Sequence, residues 1–568
     1  MKATKPVSSS SRFAGARGES LWRSLWIYAL LVTGSVVFMW PFVWMATASI
    51  KLDRELFSED GGLLPLQPVP RVQSPYLETR ALADFEHPDL ARVRPLLEAD
   101  LHTREIAWPE GIEAREAVSH LAVALFRRTA RLAPAAWWRL PPAELEKNLL
   151  GLVTPSMLES ERAALLRGLV IGRVAARSYD LQEEILVAPA DLERAWKITG
   201  PARARFLPAT AGHAEGRALA YDFSSGDRFT LAADLTTTLD LSRLHRLQFF
   251  LRPDDSWHAL DLVVEMKGKR FRAERPATLF DSTWMTVTWQ EPGPDDLTNQ
   301  QKNWILLRES GADPSYESRP GHLRVALEVR QRGVLAAWWA KITRNYLIVM
   351  EHIPFGRYVA TSLYLVILQI VCTLFSCSLV AYSFSRLRWP GRSACLLIML
   401  GTMMLPGQVT MIPQFLVIRD LGWYNTLLPL WAPSLTANAF NVFLLYQFMR
   451  GIPRDLEDAA RIDGCGVLRI YWHVMMPMIR PSLTVIGIFT FMGVWNDFMG
   501  PLIYLQDQRL YPLSLGLYAL NVQATANGGN SMAMMMAGSL LMTLPVIAIF
   551  FLGQRYFIRG ITLTGMKG

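Results

Sequence analysis

The sequence predicts a membrane α-helical protein that carries a large α + β region between its first two spans. Of its 568 residues, 51% are hydrophobic, and the apolar residues are concentrated at the two ends of the chain. A run of about twenty apolar residues is long enough to cross the hydrocarbon core of a lipid bilayer. Such runs cover Leu25–Ala48, Tyr358–Phe384, Ser393–Val417, Leu427–Met449, Ser482–Leu505 and Met532–Phe557. We therefore predict six spans, with a long polar interval from Lys51 to Phe355 after the first.

The distribution of basic residues predicts the orientation of these spans, because Lys and Arg concentrate on the cytoplasmic side. They cluster before the first span, between the second and third, after the fourth and after the sixth, at Lys2, Lys5, Arg12, Arg17, Arg23, Arg386, Arg388, Arg392, Arg450, Arg454, Arg461, Arg469, Arg559 and Lys567. The alternate short loops hold only Arg419 and Arg509, each near an aspartate. Both termini are therefore expected in the cytoplasm, and residues from about 50 to 356 outside it. These basic residues and anionic lipid account for the net charge of +8, so no nucleic-acid partner is expected.

The first apolar run has a second interpretation as a cleaved signal peptide, because Ala46-Thr47-Ala48 imitates a cleavage site. The run is longer than a signal core and begins with Trp26 and Tyr28 as interfacial anchors, which favours an uncleaved span. The four cysteines fall in spans or in a cytoplasmic loop, at Cys372, Cys377, Cys395 and Cys465. The polar interval therefore has no disulfide framework, and no cysteine pair has metal-site spacing.

The spacing of apolar residues divides the polar interval into two parts. Residues 70–200 are predicted to be helical, with one helix over 113–132 that places Val118, Leu121, Leu125 and Leu132 on one face, and another that begins at Pro155 and runs through Leu169. Residues 201–343 alternate instead and are predicted to form a jelly-roll-like β-sandwich. The predicted strands cover 218–223, 247–251, 260–266, 284–289 and 323–329.

Trp257, Trp284 and Trp289 in the predicted sandwich leave two alternatives open. Aromatic side chains at alternate strand positions are usually part of the core, but exposed ones could stack on sugar rings. The whole region could equally serve as a scaffold for a binding protein.

Residues 457–481 contain the most informative motif. It runs Glu457-Asp458-Ala459-Ala460, then Asp463-Gly464, then Pro477 and Pro481, between two apolar segments. We expect a short helix over 454–462 whose small alanines allow close approach of a partner. Gly464 tolerates the positive φ that a sharp reversal needs. Pro477 is expected to end the second helix and start the next span.

This motif resembles the cytoplasmic coupling loop of ABC-importer permeases, the helix–turn–helix that docks into an ATPase subunit. Val494-Trp495-Asn496-Asp497-Phe498 and the tail Gly565-Met566-Lys567-Gly568 resemble the same family. The resemblance is to the sugar-type (maltose-like) permeases, specifically the second membrane subunit, and covers about residues 21–65 and 345–568. It implies a six-span permease core made of residues 1–69 and 344–568. The α + β region between them departs from the family pattern and reads as an insertion.

The resemblance also implies partners and site residues. The partners are ABC ATPase subunits, a homologous permease subunit and an extracytoplasmic solute-binding protein. Glu457 is expected to meet a cation of the ATPase, the alternative being that it is merely solvated. Asn496 is a candidate sugar contact by resemblance, and Gln408, Asn438 and Asn441 are further polar candidates within apolar spans. For all four the competing interpretation is an interhelical hydrogen bond.

No residue set predicts catalysis. The sequence has no G-x-x-x-x-G-K-[S/T] motif, no H-E-x-x-H motif and no convincing nucleophile–base–acid set. The chain is therefore expected to be no enzyme and to bind no cofactor or metal, with ATP bound by partner subunits. The predicted function is the permease subunit of an ATP-driven importer of a carbohydrate. The alternative is a membrane-anchored carbohydrate-binding or sensory protein whose permease-like core does not transport.

Overall fold

The computed structural model describes residues 12–57, 62–79, 82, 85–104, 106–109, 112–180, 182–208, 215–292, 304–311, 321–526 and 532–564. The chain forms two compact units. The first is built from residues up to Leu66 and from Ile342 onward, and the second lies between them in the sequence. The tail motif at 565–568 lies outside the described residues.

The first unit is helical, and its longest helices coincide with the predicted spans. Among the described residues, four helical segments are long and apolar enough to cross a membrane: Ser24–Ser49, Phe355–Arg386, Leu428–Arg450 and Met532–Gly553. Two further pairs reach that length only if each bent pair is counted as one span. They are Arg392–Thr402 with Gly407–Asp420, bent by 102°, and Val467–Met478 with Arg480–Trp495, bent by 76°. The remaining α-helices are Asp53–Phe57, Val334–His352, whose residues from Ile342 onward belong to this unit, Asp455–Ile462, Met499–Tyr504 and Leu513–Ala526.

Three predicted runs are not straight helices, and prolines explain the breaks in two of them. Pro406 precedes the Gly407–Asp420 helix, where its fixed φ and missing N–H separate it from the helix before. Pro429 and Pro433 similarly divide the fourth run into a helical turn at Leu428–Trp431, a 3-10 turn and the Ala439–Arg450 helix. The fifth run is interrupted at Asn496 and resumes as Met499–Tyr504.

Asn345 closes the loop that leads out of the first helix. Its side-chain amide is buried and donates hydrogen bonds to the carbonyl oxygens of Ser49 (2.8 Å) and Lys51 (2.9 Å). The hydroxyls of Ser49 and Tyr346 lie 2.7 Å apart. The chain segments that precede and follow the second unit in sequence are therefore joined within the first unit.

The second unit begins with a helical part. Its helices are Leu90–Thr103, Ala114–Ala130, Pro142–Gly151, Pro155–Leu165 and the short Leu192–Ala195. Val118, Leu121 and Leu125 are buried on one face, as predicted. The prediction for Leu132 is wrong, because the helix ends at Ala130 and the Leu132 side chain is 58% exposed.

The β part of the second unit contains sixteen strands among the described residues. They are β1 Gln73–Ser74, β2 Tyr76–Leu77, β3 Leu166–Arg167, β4 Leu169–Ser178, β5 Glu183–Val187, β6 Lys197–Thr199, β7 Arg203–Phe206, β8 Gly216–Asp222, β9 Arg228–Thr236, β10 Leu244–Arg252, β11 Ala259–Met266, β12 Lys269–Ala273, β13 Ala277–Thr278, β14 Met285–Gln290, β15 Trp304–Gly311 and β16 His322–Arg330. These bounds confirm the five predicted strands to within a few residues. The strands from 166 to 199 occupy a segment that was predicted to be helical.

That error has a physical cause. In β4 the residues from Leu169 to Gly172 are all buried, so both faces of the strand are covered and the sequence shows no alternation. A short apolar run of this kind cannot be told from a buried helix by its period alone. The preceding helix therefore ends at Leu165 and does not continue to Leu169.

The strands are connected in the order β1-β8-β4-β10-β14-β15-β12-β11-β16-β9-β6. Strands β14 and β15 are parallel, and the other described pairs are antiparallel. Inward residues from strands in both halves of this order, such as Phe249 of β10 and Phe229 of β9, form one buried hydrophobic cluster. A sheet whose two halves share one core in this way has the packing of a β-sandwich.

The tryptophan alternatives are decided by burial. Trp257 and Trp289 are buried in the second unit, so neither offers a platform to a sugar. Trp284 is half-buried and stacks on Phe250, with ring centroids 4.6 Å apart and planes 8° from parallel. The core interpretation therefore holds for two of the three residues.

Candidate functional site

The motif at residues 454–481, named the coupling motif for its resemblance to a coupling loop, begins with a short helix at Asp455–Ile462. Asp455, Glu457 and Asp458 lie in its first turn, where negative charge is favoured by the helix dipole, and Arg461 lies in its last turn. Ala459 is exposed, and the side chain of Ile462 is 87% exposed. The helix therefore presents small and apolar side chains on its outer surface.

Gly464 reverses the chain after this helix through a Schellman motif. Its N–H donates to the carbonyl of Arg461 (3.0 Å), and the N–H of Cys465 donates to the carbonyl of Ala460 (2.9 Å). Gly464 has φ = +83°, in the left-handed region. A Cβ added there would meet no atom within 4 Å, so the backbone conformation, not lack of space, requires glycine.

The second helix of the motif runs from Val467 to Met478, and the prediction that it ends before Pro477 is wrong. Residues Tyr471–Met475 form a π-helical turn just before that proline. A π turn changes the hydrogen-bond register, so a residue without an N–H can be accommodated there. The bend comes instead at Ile479, and Pro481 lies in the first turn of the next helix.

Glu457 forms a buried ion pair within its own chain. Its Oε1 lies 3.0 Å from Nε of Arg386, the last residue of the Phe355–Arg386 helix, and the two side chains are 4% and 3% exposed. Nη2 of Arg386 also donates to the carbonyls of Met449 and Ile452, the latter at 2.8 Å. The expectation that Glu457 offers its charge to the ATPase is therefore replaced by an internal partner. Sequence reasoning missed Arg386, which it used only as evidence for orientation.

A polar cavity of about 1080 Å³ lies in the helical unit. Three of the four predicted pathway residues line it, namely Gln408, Asn438 and Asn441. Asn438 Oδ1 accepts hydrogen bonds from the N–H groups of Phe440 (3.0 Å) and Asn441 (3.2 Å), and so caps the Ala439–Arg450 helix. Other polar residues that sequence reasoning had not selected also line the cavity, namely Gln369, Thr373 and Thr490. The only signal for them is a polar side chain within an apolar run.

Asn496 is not among the residues that line this cavity. Its side chain is exposed, and Nδ2 donates to the carbonyl of Met492 one turn earlier in the same helix (2.9 Å). Its neighbour Asp497 does line the cavity, and Asp497 Oδ1 accepts from the N–H of Gly500 (3.1 Å). The structure therefore separates Asn496 from the other three predicted residues.

Comparison with known proteins bears on this unit. Residues 338–563 match the family described as "Binding-protein-dependent transport system inner membrane component". The chain is 35% identical over 214 residues to the arabinooligosaccharides transport system permease protein AraQ of Halalkalibacterium halodurans, a match that covers 38% of this chain and 74% of that relative. The chain belongs to this family of transport components.

The chain is also similar to other transport proteins. The melibiose/raffinose/stachyose import permease protein MelC of Bacillus subtilis is 29% identical, over 34% of this chain and 68% of MelC. A solved bacterial ABC transporter that imports alginate is 26% identical, with a TM-score of 0.34, over 38% of this chain and 79% of that one. Family membership confirms the prediction of a transport subunit and not an enzyme. Permeases of this kind work with separate ATPase subunits and a solute-binding protein.

Proposed function

We propose that the chain is the carbohydrate-conducting permease subunit of an ATP-driven importer, paired with a homologous permease subunit. The family match carries this proposal, because it spans residues 338–563, which hold both the coupling motif and the polar cavity. The side-chain amides that line the cavity suit a polyhydroxylated solute, since each amide has both donors and an acceptor. Family membership favours this function over a non-transporting sensory protein.

The coupling motif supplies the contact with the ATPase in this proposal. The exposed face around Ala459 and Ile462 docks on the partner, with Asp458 and Asp463 exposed beside it. Arg386 ties this helix to the end of the Phe355–Arg386 helix through Glu457, and to the end of the Ala439–Arg450 helix through the Met449 and Ile452 carbonyls. ATP-driven closure of the ATPases therefore moves two membrane helices together with the coupling helix.

The cavity supplies the solute pathway. The side-chain Oδ1 of Asn438 caps a helix, so the two N–H groups on its Nδ2 are left to donate hydrogen bonds to the solute. Asn441 and Gln408 lie on two different helices that line the same space. We assign these three residues to the pathway and give Asn496 no part in it.

We further propose six spans with both termini in the cytoplasm and residues from about 50 to 356 outside it. Residues 70–343 are then an insertion into an otherwise ordinary permease, with a jelly-roll-like sandwich after a helical part. Two observations support this proposal: the family match begins only at residue 338, and Asn345 joins the chain on either side of the second unit. The chain also divides into two compact units close to these boundaries.

The function is tested by uptake in proteoliposomes that contain the assembled transporter with its ATPase, partner permease and binding protein. Asn441→Ala is expected to raise the half-saturating concentration of the transported oligosaccharide by about tenfold, the cost of one lost hydrogen bond to a buried polar group. Asn496→Ala is the matched control and should transport as the unmodified chain does. ATPase activity that no carbohydrate stimulates would contradict the proposed function. Equal effects of the two substitutions would remove only the assignment of the pathway.

The topology is tested with single cysteines in a chain whose four native cysteines are replaced by serine. Leu132→Cys, in the second unit, is expected to react with a membrane-impermeant maleimide added to intact spheroplasts. Arg388→Cys, in the exposed loop after the Phe355–Arg386 helix, is expected to react only after permeabilisation. The reverse pattern of labelling would overturn the orientation.

A further inference from the structure

The polar cavity of the helical unit has an unbalanced charge in its wall. Asp497 is the only charged residue that lines it within the part of the chain that the structure describes. The other polar groups of the lining are amides and hydroxyls, such as those of Gln408, Asn441 and Thr490. A solute in this cavity therefore meets neutral hydrogen-bonding groups and one carboxylate.

The position of Asp497 is fixed by the backbone around it. The residue lies in the break between the Arg480–Trp495 and Met499–Tyr504 helices, and its side chain is half-buried. Its carbonyl oxygen accepts a hydrogen bond from Oγ of Ser514 (2.6 Å), and its Oδ1 accepts from the N–H of Gly500 (3.1 Å). The carboxylate is therefore held at the wall of the cavity.

The carboxylate of Asp497 is not neutralised by a basic side chain. Its hydrogen-bond donors are backbone N–H groups, and no ion pair joins it to a lysine, arginine or histidine among the described residues. Glu457 of the same unit is paired instead, with Arg386 at 3.0 Å. Ionisable residues within membrane-spanning segments are costly, and those that face a cavity commonly mark a solute pathway. The charge of Asp497 is therefore available to act on whatever enters the cavity.

A single carboxylate in such a wall distinguishes solutes by their charge. Electrostatic interactions are stronger in a poorly polarisable protein environment than in water, and a cleft lined by one sign of charge concentrates solutes of the opposite sign. A sugar hydroxyl can donate to the carboxylate, and an ammonium group donates to it with the opposite charge as well. A sugar acid would instead place a second negative charge beside it.

We propose that Asp497 sets the charge selectivity of the solute pathway, which admits uncharged and amino sugars and rejects acidic ones. This inference rests on the proposed function and names the class of carbohydrate that the pathway takes. Asp497 also caps the turn at Gly500, and the two roles can be separated. Asparagine keeps the Oδ1 acceptor of the cap but loses the charge, whereas glutamate keeps the charge.

The test is calorimetric titration of the assembled transporter in lipid nanodiscs with galactose, galacturonate and 6-amino-6-deoxygalactose. These three sugars share one ring and differ only in the group on the sixth carbon, which is neutral, negative or positive. The amino sugar is expected to bind at least about tenfold more tightly than galacturonate, because only the latter is repelled by Asp497. In Asp497→Asn this difference should shrink to about twofold or less, while galactose affinity is nearly unchanged. Asp497→Glu should keep the difference.

Asp507→Asn is the matched control. Asp507 also caps a turn, through a hydrogen bond from the N–H of Arg509 to its Oδ1 (2.9 Å), but it is exposed and does not line the cavity. The control should keep the full difference between the amino sugar and the sugar acid. Co-purification with the ATPase subunits and an unchanged melting temperature establish that each variant is folded.

Equal affinity of the unmodified transporter for the three sugars would overturn the inference, and so would a lack of binding by all of them. A difference that persists in a folded Asp497→Asn transporter, or that Asp507→Asn also removes, would overturn it too. Carbohydrate-stimulated ATPase activity with the solute-binding protein is measured in parallel. If stimulation is intact, such results remove the charge selectivity alone, whereas a lack of stimulation by any carbohydrate counts against the proposed function itself.

Discussion

Replacing Arg386 by Met is expected to abolish transport while leaving the chain inserted in the membrane. The substitution leaves the carboxylate of Glu457 buried without its partner and removes the donor to the Met449 and Ile452 carbonyls. Breaking a buried ion pair by removing one partner costs about 3–5 kcal/mol. The coupling helix would no longer be fixed to the ends of the two membrane helices. Uptake in proteoliposomes and the melting temperature of the purified chain measure the two effects.

Arg388→Met is the matched control, because Arg388 is exposed and lies only two positions away. It should change neither transport nor melting temperature. The double substitution Arg386→Met with Glu457→Leu removes both charges of the buried pair, so the melting temperature is expected to recover. Wild-type uptake by Arg386→Met alone would show that the ion pair has no part in coupling.

Replacing Gly464 by Val is expected to uncouple ATP hydrolysis from uptake. A β-branched residue at φ = +83° is strained by about 1–3 kcal/mol, and the Schellman motif that sets the angle between the two helices of the loop would be lost. The measured quantity is the ratio of solute transported to ATP hydrolysed, which should fall to near the background level.

Gly464→Asn is the control for this substitution, because asparagine adopts the left-handed region more readily than other non-glycine residues. Since a Cβ at this position meets no atom, the asparagine side chain would be tolerated sterically, and coupling should largely persist. Full coupling by the valine variant would mean that the reversal does not need its observed conformation. Loss of coupling in both variants would instead indicate that the ATPase contacts the backbone at Gly464 so closely that any side chain at this position blocks the contact.

Much of the helical unit could be predicted from the sequence because its determinants are local. The length of an apolar run marks a span, and glycine at a helix end marks a reversal. The reversal at Gly464 was predicted for this reason, and strands such as β10 and β11 of the second unit were predicted from the alternation of apolar residues. The predictions that failed relied on short segments whose own residues do not determine their structure. The burial of both faces of β4 depends on neighbours that are distant in the sequence, and the π turn before Pro477 is a change of hydrogen-bond register that no residue pattern marks.

In the candidate site, too, the features with a local sequence signal could be predicted and those that depend on packing could not. The motif around Glu457 could be found by its spacing, but the partner of Glu457 could not, because Arg386 is far away in the sequence and its basic side chain had been interpreted only as a sign of orientation. Asn441 and Asn496 look equivalent in the sequence, as amides within apolar runs. Only the packing of the helices places Asn441 at the cavity and leaves Asn496 hydrogen-bonded to its own helix.

Asn345 has a consequence for how such a chain can change over evolution. Its two hydrogen bonds to Ser49 and Lys51 fasten to each other the chain segments that flank the second unit in the sequence. When the ends of a loop are held in this way, each doubling of the loop's length costs only about 0.6 kcal/mol of closure entropy. The membrane helices are therefore largely indifferent to the length of what is spliced between these two points. Whole domains can be gained, exchanged or discarded at this position while the transport machinery keeps its own architecture.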